Sequence, residues 1–386
     1  SSAASDVYKR QVQTSSANPS DVSARQVLLT SAQTLSNRFN SISNQLNQQK
    51  ESINGQLSTM SDQVNQLTAS IASLNKQITQ VQGSSNSAPA NLLDARNEAV
   101  RSLNELVGVT ASEKNGVFSV STGTGQSLVL GDQSNTISAV PSASDPSQYT
   151  IQLNAGGGTA IDLGNVLSGG SIGGLLRYRS DALMPAINDL GRIAIATADT
   201  VNSQLGQGLD LNGDFGTSLF KDINSAAAIA QRSQGAAGNS VGSGNLNVSI
   251  KDSSKLSTYD YKVTFTSGSN YTVMRSDGKA MGAFDTTTTP PPVIDGFTLA
   301  LDGKGPVGAG DSFKVSPTAN GATNIGTDLT DANKIAFAGP LLGEGSKTNQ
   351  GTGTFTPPTL TLPIDIHGGA DTAQLRTGIE HSMPVK

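Results

Sequence analysis

The segment Asp210-Leu211-Asn212-Gly213-Asp214 sets oxygen donors at every second position, a pattern that suits a calcium ion. An EF-hand loop also needs Gly at its sixth position and Glu at its twelfth. Counted from Asp210, those positions hold Phe215 and Lys221, so the segment reads as a polar turn. His367 and His381 are the only histidines, 14 residues apart in a chain without Cys, and give no zinc spacing. Ser171 and Ser240 each centre a G-x-S-x-G, at 169–173 and 238–242, but both lie in Gly/Ser linkers without the strand-then-helix context of a nucleophile elbow. Gly123-Thr124-Gly125 and Gly303-Lys304-Gly305 lack the flanks of a phosphate loop and read as strand ends. The carboxylates are scattered, and none forms an evident acid–base pair. No catalytic, metal or cofactor residue is expected, and the chain reads as a non-enzyme.

Composition points the same way. The 386 residues carry 4% aromatics, no Trp, 14% charged residues and 42 Gly. Such a chain can hold two to four domains, by the usual size of about 100–200 residues each, with β-rich, turn-rich modules beside amide-rich helices. Without Cys, stability must come from packing and assembly. The net charge of −5 is spread without a basic stripe, which argues against nucleic acid or anionic membrane as partners. No apolar run reaches the length of a membrane span, and residues 1–30 hold no secretory signal.

What needs positioning is a long apolar stripe. It reads Leu28, Ala32, Leu35, Phe39, Ile42, Leu46, Gln49, Ile53, Leu57, Met60, Val64, Leu67, Ile71, Leu74, Ile78 and Val81. Steps of four and three alternate, so one side chain per turn lines a single face and the helix packs lengthwise on other helices. Two fours meet at Gln49-Ile53-Leu57, a stutter beside Gly55 that relaxes the supercoil. Asn18, Pro19 and Asp21 mark the start, and Gly83 with its Ser/Asn run marks the end. At about 1.5 Å per residue, a helix over 19–82 is roughly 95 Å long. Between Val27 and Gln82 only Arg38, Lys50, Glu51, Asp62 and Lys76 are charged; amides and hydroxyls fill most outward positions and suit packing against neighbours in an assembly.

A second helix over 90–107 carries Leu92, Leu93, Val100, Leu103, Leu106 and Val107 and stops at Gly108, and Arg101 and Glu105 are spaced to pair on its surface. Strands follow at 109–112 and 117–121 around Asn115-Gly116, then at 127–130, 136–140 and 149–154. A third helix runs from near Gly174 to 205, with Pro185 bending or restarting it, and a weaker helical stretch covers 217–231. Strands return at 246–251, 259–267 and 270–275. Phe297–Leu301 and Asp311–Val315 read as a further hairpin, 327–337 as a short helix, and 359–366 as a strand.

Several stretches, in order, are similar to the flagellar hook-associated protein 1 family. Asn18-Pro19-Ser20-Asp21 with Ala24-Arg25-Gln26 resembles the start of that family's long helix. The run from Asn91-Leu92-Leu93-Asp94-Ala95-Arg96-Asn97 to Leu106-Val107-Gly108-Val109, then Asn115-Gly116, resembles its most recognisable motif. Gly173 to Ser180, and Val201-Asn202 through Gly213 to Leu219-Phe220, resemble a third stretch. Gly310-Asp311-Ser312-Phe313 with Val315 and Pro317 resembles the close of its β module. The residues Leu92, Leu93, Asp94, Arg96, Gly116, Gly213, Phe220, Gly310, Asp311 and Phe313 carry the likeness.

The resemblance implies an α+β multidomain protein: an elongated α-helical bundle or coiled-coil rod with inserted and following antiparallel β domains. The expected division is a rod over 1–108, a small β segment over 109–169, a returning helix over 170–235, a β domain over 236–345, and a Gly/Thr/Pro-rich tail with a β segment over 346–386. The implied role is a structural adaptor at the hook–filament junction, extracellular, exported through the flagellar secretion apparatus without a cleaved signal peptide. Implied partners are the hook protein, the second junction protein and further copies of itself. The family's paired terminal segments, the C-terminal one binding an export chaperone, have no counterpart in the sequence, so the chain reads as a core fragment that is monomeric alone. A flagellin-like or filament-cap subunit is the nearest rival. A coiled-coil adhesin would show a longer heptad array and an anchor; a glycan-processing enzyme would show a paired-carboxylate cleft.

Overall fold

The computed structural model describes residues 22–336, apart from 86, 88, 209 and 213. The tail strand expected at 359–366, the tail domain and both histidines lie outside these residues. The periodic seam does form one uninterrupted helix, α1 (Val22–Ser85), and the second helix is α2 (Ala90–Val107). Three further helices follow: α3 (Gly170–Tyr178), α4 (Met184–Gly206) and the short α5 (Ala226–Gln231). Between α3 and α4 lies a single π-helical turn, Arg179–Leu183. Pro185 follows directly, and the wider turn changes the hydrogen-bond register where Pro has no N–H to give.

The described residues fall into two compact units. One comprises 45–187 with 235–239, the other 22–44, 188–234 and 240–336. The division cuts α1 at 44/45 and α4 at 187/188, whereas the sequence boundaries follow helix ends.

The unit built on 45–187 holds two antiparallel sheets. One has the order β1 (Val109–Lys114), β2 (Val117–Thr122), β3 (Ser127–Leu130), β4 (Gln133–Ser134). The other has β5 (Thr136–Pro141), β6 (Tyr149–Asn154), β7 (Ile161–Asp162). Asn115 at φ 53° and Gly116 at φ 75° form the two-residue turn that the Asn-Gly pair predicts. α2 packs on α3 at close range: a Cβ at Gly170, where φ is +65°, would overlap the Leu106 carbonyl.

The other unit holds a five-stranded antiparallel sheet in the order β12 (Ala280–Asp285), β11 (Asn270–Arg275), β10 (Tyr261–Phe265), β14 (Ser312–Val315), β8 (Ser233–Gly235), and a two-stranded ribbon of β13 (Phe297–Leu301) with β9 (Leu246–Ile250). Its core joins Leu28, Leu29 and Ala32 of α1 and Ala194, Ile195 and Ala198 of α4 to the inward faces of the strands; Leu35 and Phe39 pack against it half-buried. A side chain at Gly191 of α4 would strike the Thr318 carbonyl, so glycine alone admits that approach. Four expectations change here. Phe297–Leu301 and Asp311–Val315 are not a hairpin: β13 pairs with β9 and β14 with β10, through connections too long for local turn chemistry to announce. The stretch 217–231 is helical only over α5, 327–337 holds only a 3₁₀ turn at Ala332–Lys334, and the third helix starts at Gly170.

The seam is shifted as well as present. Leu57, Val64 and Ile71 are fully buried, with Ile53 and Ile78 close behind; Met60, Leu67 and Leu74 are half-buried, as are Ile42 and Leu46. The second fully buried row is Ser61, Thr68 and Asn75, one residue beyond the apolar row that periodicity picked out. The apolar row at 60, 67 and 74 forms the rim. Ile71→Ala should therefore cost about 2–5 kcal/mol, the usual range for a buried Ile, and Leu74→Ala clearly less. Urea unfolding checks this, and equal losses would put the centre of the stripe back on the apolar row.

Candidate functional site

The residues first suspected of chemistry are occupied by turn geometry. Asp210 Oδ1 accepts from the backbone N–H groups of Asn212 (2.8 Å) and Asp214 (2.9 Å), which closes the polar turn. Among the described residues no group of three or more His, Asp or Glu can hold a metal. Ser171 donates to the Glu105 carbonyl at 3.1 Å, and Ser240 donates to Asp311 at 3.0 Å, a carboxylate that also accepts from the Ser240 and Gly308 backbone N–H groups. Gly125 and Gly303 adopt positive φ in turns.

What the structure builds instead is a set of joints made of side-chain amides. Four asparagines of α1 reach strand or loop backbone. Asn54 donates to the Ser147 carbonyl and accepts from the Tyr149 N–H, both at 2.9 Å, at the start of β6. Asn65 donates to the Ile137 carbonyl (2.9 Å) and accepts from the Ile137 N–H (2.8 Å) on β5. Asn75 donates to the Gly131 carbonyl at 2.7 Å, just past β3. Asn40, in the other unit, donates to the carbonyls of Ala322 (2.8 Å), Thr323 (3.1 Å) and Ile325 (3.2 Å). A side-chain amide carries the same donor and acceptor as a peptide, so Asn65 completes the pairing of Ile137 as a neighbouring strand would. Asn54, Asn65 and Asn75 are 11 and 10 residues apart, about three turns of helix, which keeps them on one face.

The device recurs off the rod. Asn202 of α4 pairs with both backbone groups of Phe220, each at 2.9 Å, and Asn224 pairs with both of Ile250, each at 2.8 Å. Phe220 is fully buried at this joint. Two buried hydroxyls of α1 bond back to their own helix: Ser61 donates to the Leu57 carbonyl at 2.7 Å and Thr68 to the Asn65 carbonyl at 3.1 Å. Gln49, the polar member of the seam, accepts from Tyr178 of α3 at 3.0 Å.

Two buried arginines reinforce the joints. Arg96 donates to Asn75 Oδ1 at 3.1 Å, lies 3.7 Å from Glu113, and stacks 3.8 Å over the Phe118 ring, so α1, α2 and the β1–β2 hairpin meet at one guanidinium. Burial pulls its pKa below the usual value, against the opposing pull of Glu113. Arg232 donates to Asn224 Oδ1 (3.1 Å) and to the carbonyls of Val248 (2.9 Å) and Ile223; burial lowers its pKa to about 10. Arg101 holds Glu105 as its spacing predicts, and Glu98 as well, but all three are exposed.

The other motif residues are scattered across the two units. Leu92 and Leu93 are half-buried and Asp94 is exposed on α2; Gly213 lies outside the described residues. Gly310, at φ 92°, turns the chain into β14, where buried Phe313 packs edge-on to Phe265 at 5.7 Å. Asp311 is buried and accepts from the N–H groups of Ser240 (2.7 Å) and Gly308 (2.8 Å), bonds that hold its carboxyl below the usual carboxylate range. It ties the 240 loop to the start of β14. Sequence reasoning named Arg96, Phe220 and Asp311 by resemblance, and Asn202 within a resembling stretch; it missed Asn54, Asn65 and Asn75, for which their three-turn spacing was the available signal, and Arg232, for which there was none.

The sequence model for the flagellar hook-associated protein FlgK helical domain matches residues 2–220, and that for the flagellar hook-associated protein 1 D2-like domain matches 235–317. The chain is 32% identical to the flagellar hook-associated protein 1 of Escherichia coli K12 over 389 residues, covering 95% of this chain and 68% of that protein. It is likewise 32% identical to the Salmonella typhimurium LT2 protein of the same name, covering 85% of this chain and 58% of the relative. The solved flagellar hook junction protein FlgK from Burkholderia pseudomallei superposes with a TM-score of 0.80 at 36% identity, over 91% of this chain and 62% of that one. The chain thus spans about six to seven tenths of these relatives.

Two outcomes test the joints. Asn65→Ala leaves both backbone groups of Ile137 unpaired and should destabilise by about 1–3 kcal/mol. Hydrogen exchange should speed first at β5, and unchanged protection there would remove the joint. Asp311 has a lowered folded-state pKa, so its stabilisation is present above the unfolded value of about 3.9 and is lost as the pH falls through the folded value. The stability gap between wild type and Asp311→Asn should hold constant above about pH 5 and narrow below about pH 4. Thermal melts across that range measure it.

Proposed function

The chain belongs to the flagellar hook-associated protein 1 family, and on that premise we propose that it is a structural axial component of the bacterial flagellum that joins the hook to the filament. The observation that carries this is the match of the helical-domain model over 2–220 and the D2-like model over 235–317, in that order, within one chain. The geometry fits a mechanical part: long helices, and β modules fixed to them by uncharged bonds. Its partners on this reading are the hook protein, the second junction protein and further copies of the chain, with export through the flagellar secretion apparatus.

Antibodies raised against residues 1–386 and carried on gold should mark isolated flagella at the hook–filament boundary in electron micrographs. Label along the whole filament would make the chain a flagellin-like subunit, and label at the tip a filament cap. On the same reading, residues 1–386 by themselves remain monomeric, and light scattering that shows regular tubes or stable large oligomers at high concentration would overturn that point.

A further inference from the structure

The sequence holds four Asn-Gly steps, at 54–55, 115–116, 212–213 and 320–321. Asparagine is chemically labile, and most so before glycine, where no side chain hinders attack of the next backbone nitrogen on the amide carbon. The attack needs both groups free. Three of the steps are described at both residues, and the structure treats them differently. Asn54 has both ends of its amide bonded at 2.9 Å, and Gly55 lies within the hydrogen-bond ladder of α1. At 320–321 the Gly321 N–H donates to the Thr318 carbonyl at 2.9 Å, and the glycine is packed against the Gly191 carbonyl of α4. Asn115-Gly116 is the opposite case. Both residues are exposed at the tip of the β1–β2 hairpin. Among the described residues the Asn115 amide has no hydrogen-bond partner and the Gly116 N–H no backbone partner. A Cβ placed on Gly116 would meet nothing within 4 Å, so a ring has space to close there.

We propose that Asn115 is a site of spontaneous modification, at which the chain converts its own amide to a carboxylate. Hydroxide takes the Gly116 N–H proton, and the nitrogen attacks Asn115 Cγ. The N–Cγ bond forms, the Cγ–Nδ2 bond breaks, and ammonia leaves with a proton from water, which returns the hydroxide. Water then opens the cyclic imide. Cleavage of the new N–Cγ bond gives aspartate. Cleavage between the Asn115 backbone carbonyl carbon and the Gly116 nitrogen gives isoaspartate, with the chain running through the side chain. Nothing is oxidised or reduced. Either product takes the net charge from −5 to −6. Asp-Gly still closes a two-residue turn. Isoaspartate adds a carbon to that turn, so Lys114 and Val117 no longer meet in register. The next pair is Glu113 with Phe118, where Arg96 lies 3.7 Å from the carboxylate and 3.8 Å over the ring. Modification at an exposed tip thereby reaches a buried joint.

The test incubates residues 1–386 at mildly alkaline pH, folded and in urea, and follows each asparagine by peptide mass mapping with isoaspartyl methyltransferase labelling. In the folded chain Asn115 should convert first. Asn54 and Asn320 should lag by about tenfold or more, because those steps must first give up a hydrogen bond. In urea the three should react alike. Folded-state conversion of Asn115 no faster than that of Asn54 or Asn320 would overturn the proposal. The isoaspartyl form, separated by charge and labelling, should exchange its β1 and β2 amides faster than wild type, whereas Asn115→Asp, with the same charge and an intact turn, should match wild type. Unchanged exchange in the isoaspartyl form would cut the link from the tip to the Arg96 joint.

Discussion

Every strand that ends against a helix brings backbone N–H and C=O groups that no ladder partner satisfies. Leaving such groups buried and unpaired costs free energy on the scale of a lost hydrogen bond each. This chain meets that constraint with asparagine. Asn65 closes both backbone groups of Ile137, Asn202 those of Phe220 and Asn224 those of Ile250, and Asn54 spans from Ser147 to Tyr149. Once those pairings are fixed, so is the register of β5 and β6 on α1, and with it which faces of the small sheets are covered. The buried Ser61 and Thr68 follow from the same constraint: short side chains admit the approach, and their hydroxyls turn back to their own helix.

The same joints explain what the sequence could and could not disclose. Periodicity found α1 and α2, because an apolar residue each turn leaves a strong trace. It set Met60, Leu67 and Leu74 on the stripe beside Leu57, Val64 and Ile71 because it counted only apolar residues as inward. In the structure Ser61, Thr68 and Asn75 are the inward ones. An asparagine in a helix reads as a solvent-facing polar residue until the peptide it pairs with is in view. Local turn signals found the Asn115-Gly116 hairpin, since two residues suffice to set it. They misjoined Phe297–Leu301 to Asp311–Val315, because the pairings of β13 with β9 and β14 with β10 span long connections and depend on the packing of the whole unit.

Site residues show the same split. Arg96, Phe220 and Asp311 were legible through resemblance, yet nothing in their spacing says why they are there. The structure supplies the reasons: Arg96 bonds the same Asn75 that holds Gly131, Phe220 presents its backbone to Asn202, and Asp311 gathers the 240 and 308 loops. Arg232 was invisible because its partners, Ile223, Asn224 and Val248, converge only after β9 has paired.

Uncharged joints also suit where a flagellar part works. An amide does not titrate, and its hydrogen bonds are not weakened by salt as an exposed ion pair is. The exposed ionic contacts, such as Arg101 with Glu98 and Glu105, contribute little. The amide bonds are placed where strands meet helices. With no Cys, the chain has no disulfide to hold those junctions against changes in the medium. A structural part of the flagellum needs its modules fixed in register, and neutral bonds hold that register whatever the pH and ionic strength of the medium. Amide–peptide pairing meets that need with neutral groups, as Asn54 and Asn65 do from the rod where a free-standing coiled coil would carry Glu and Lys.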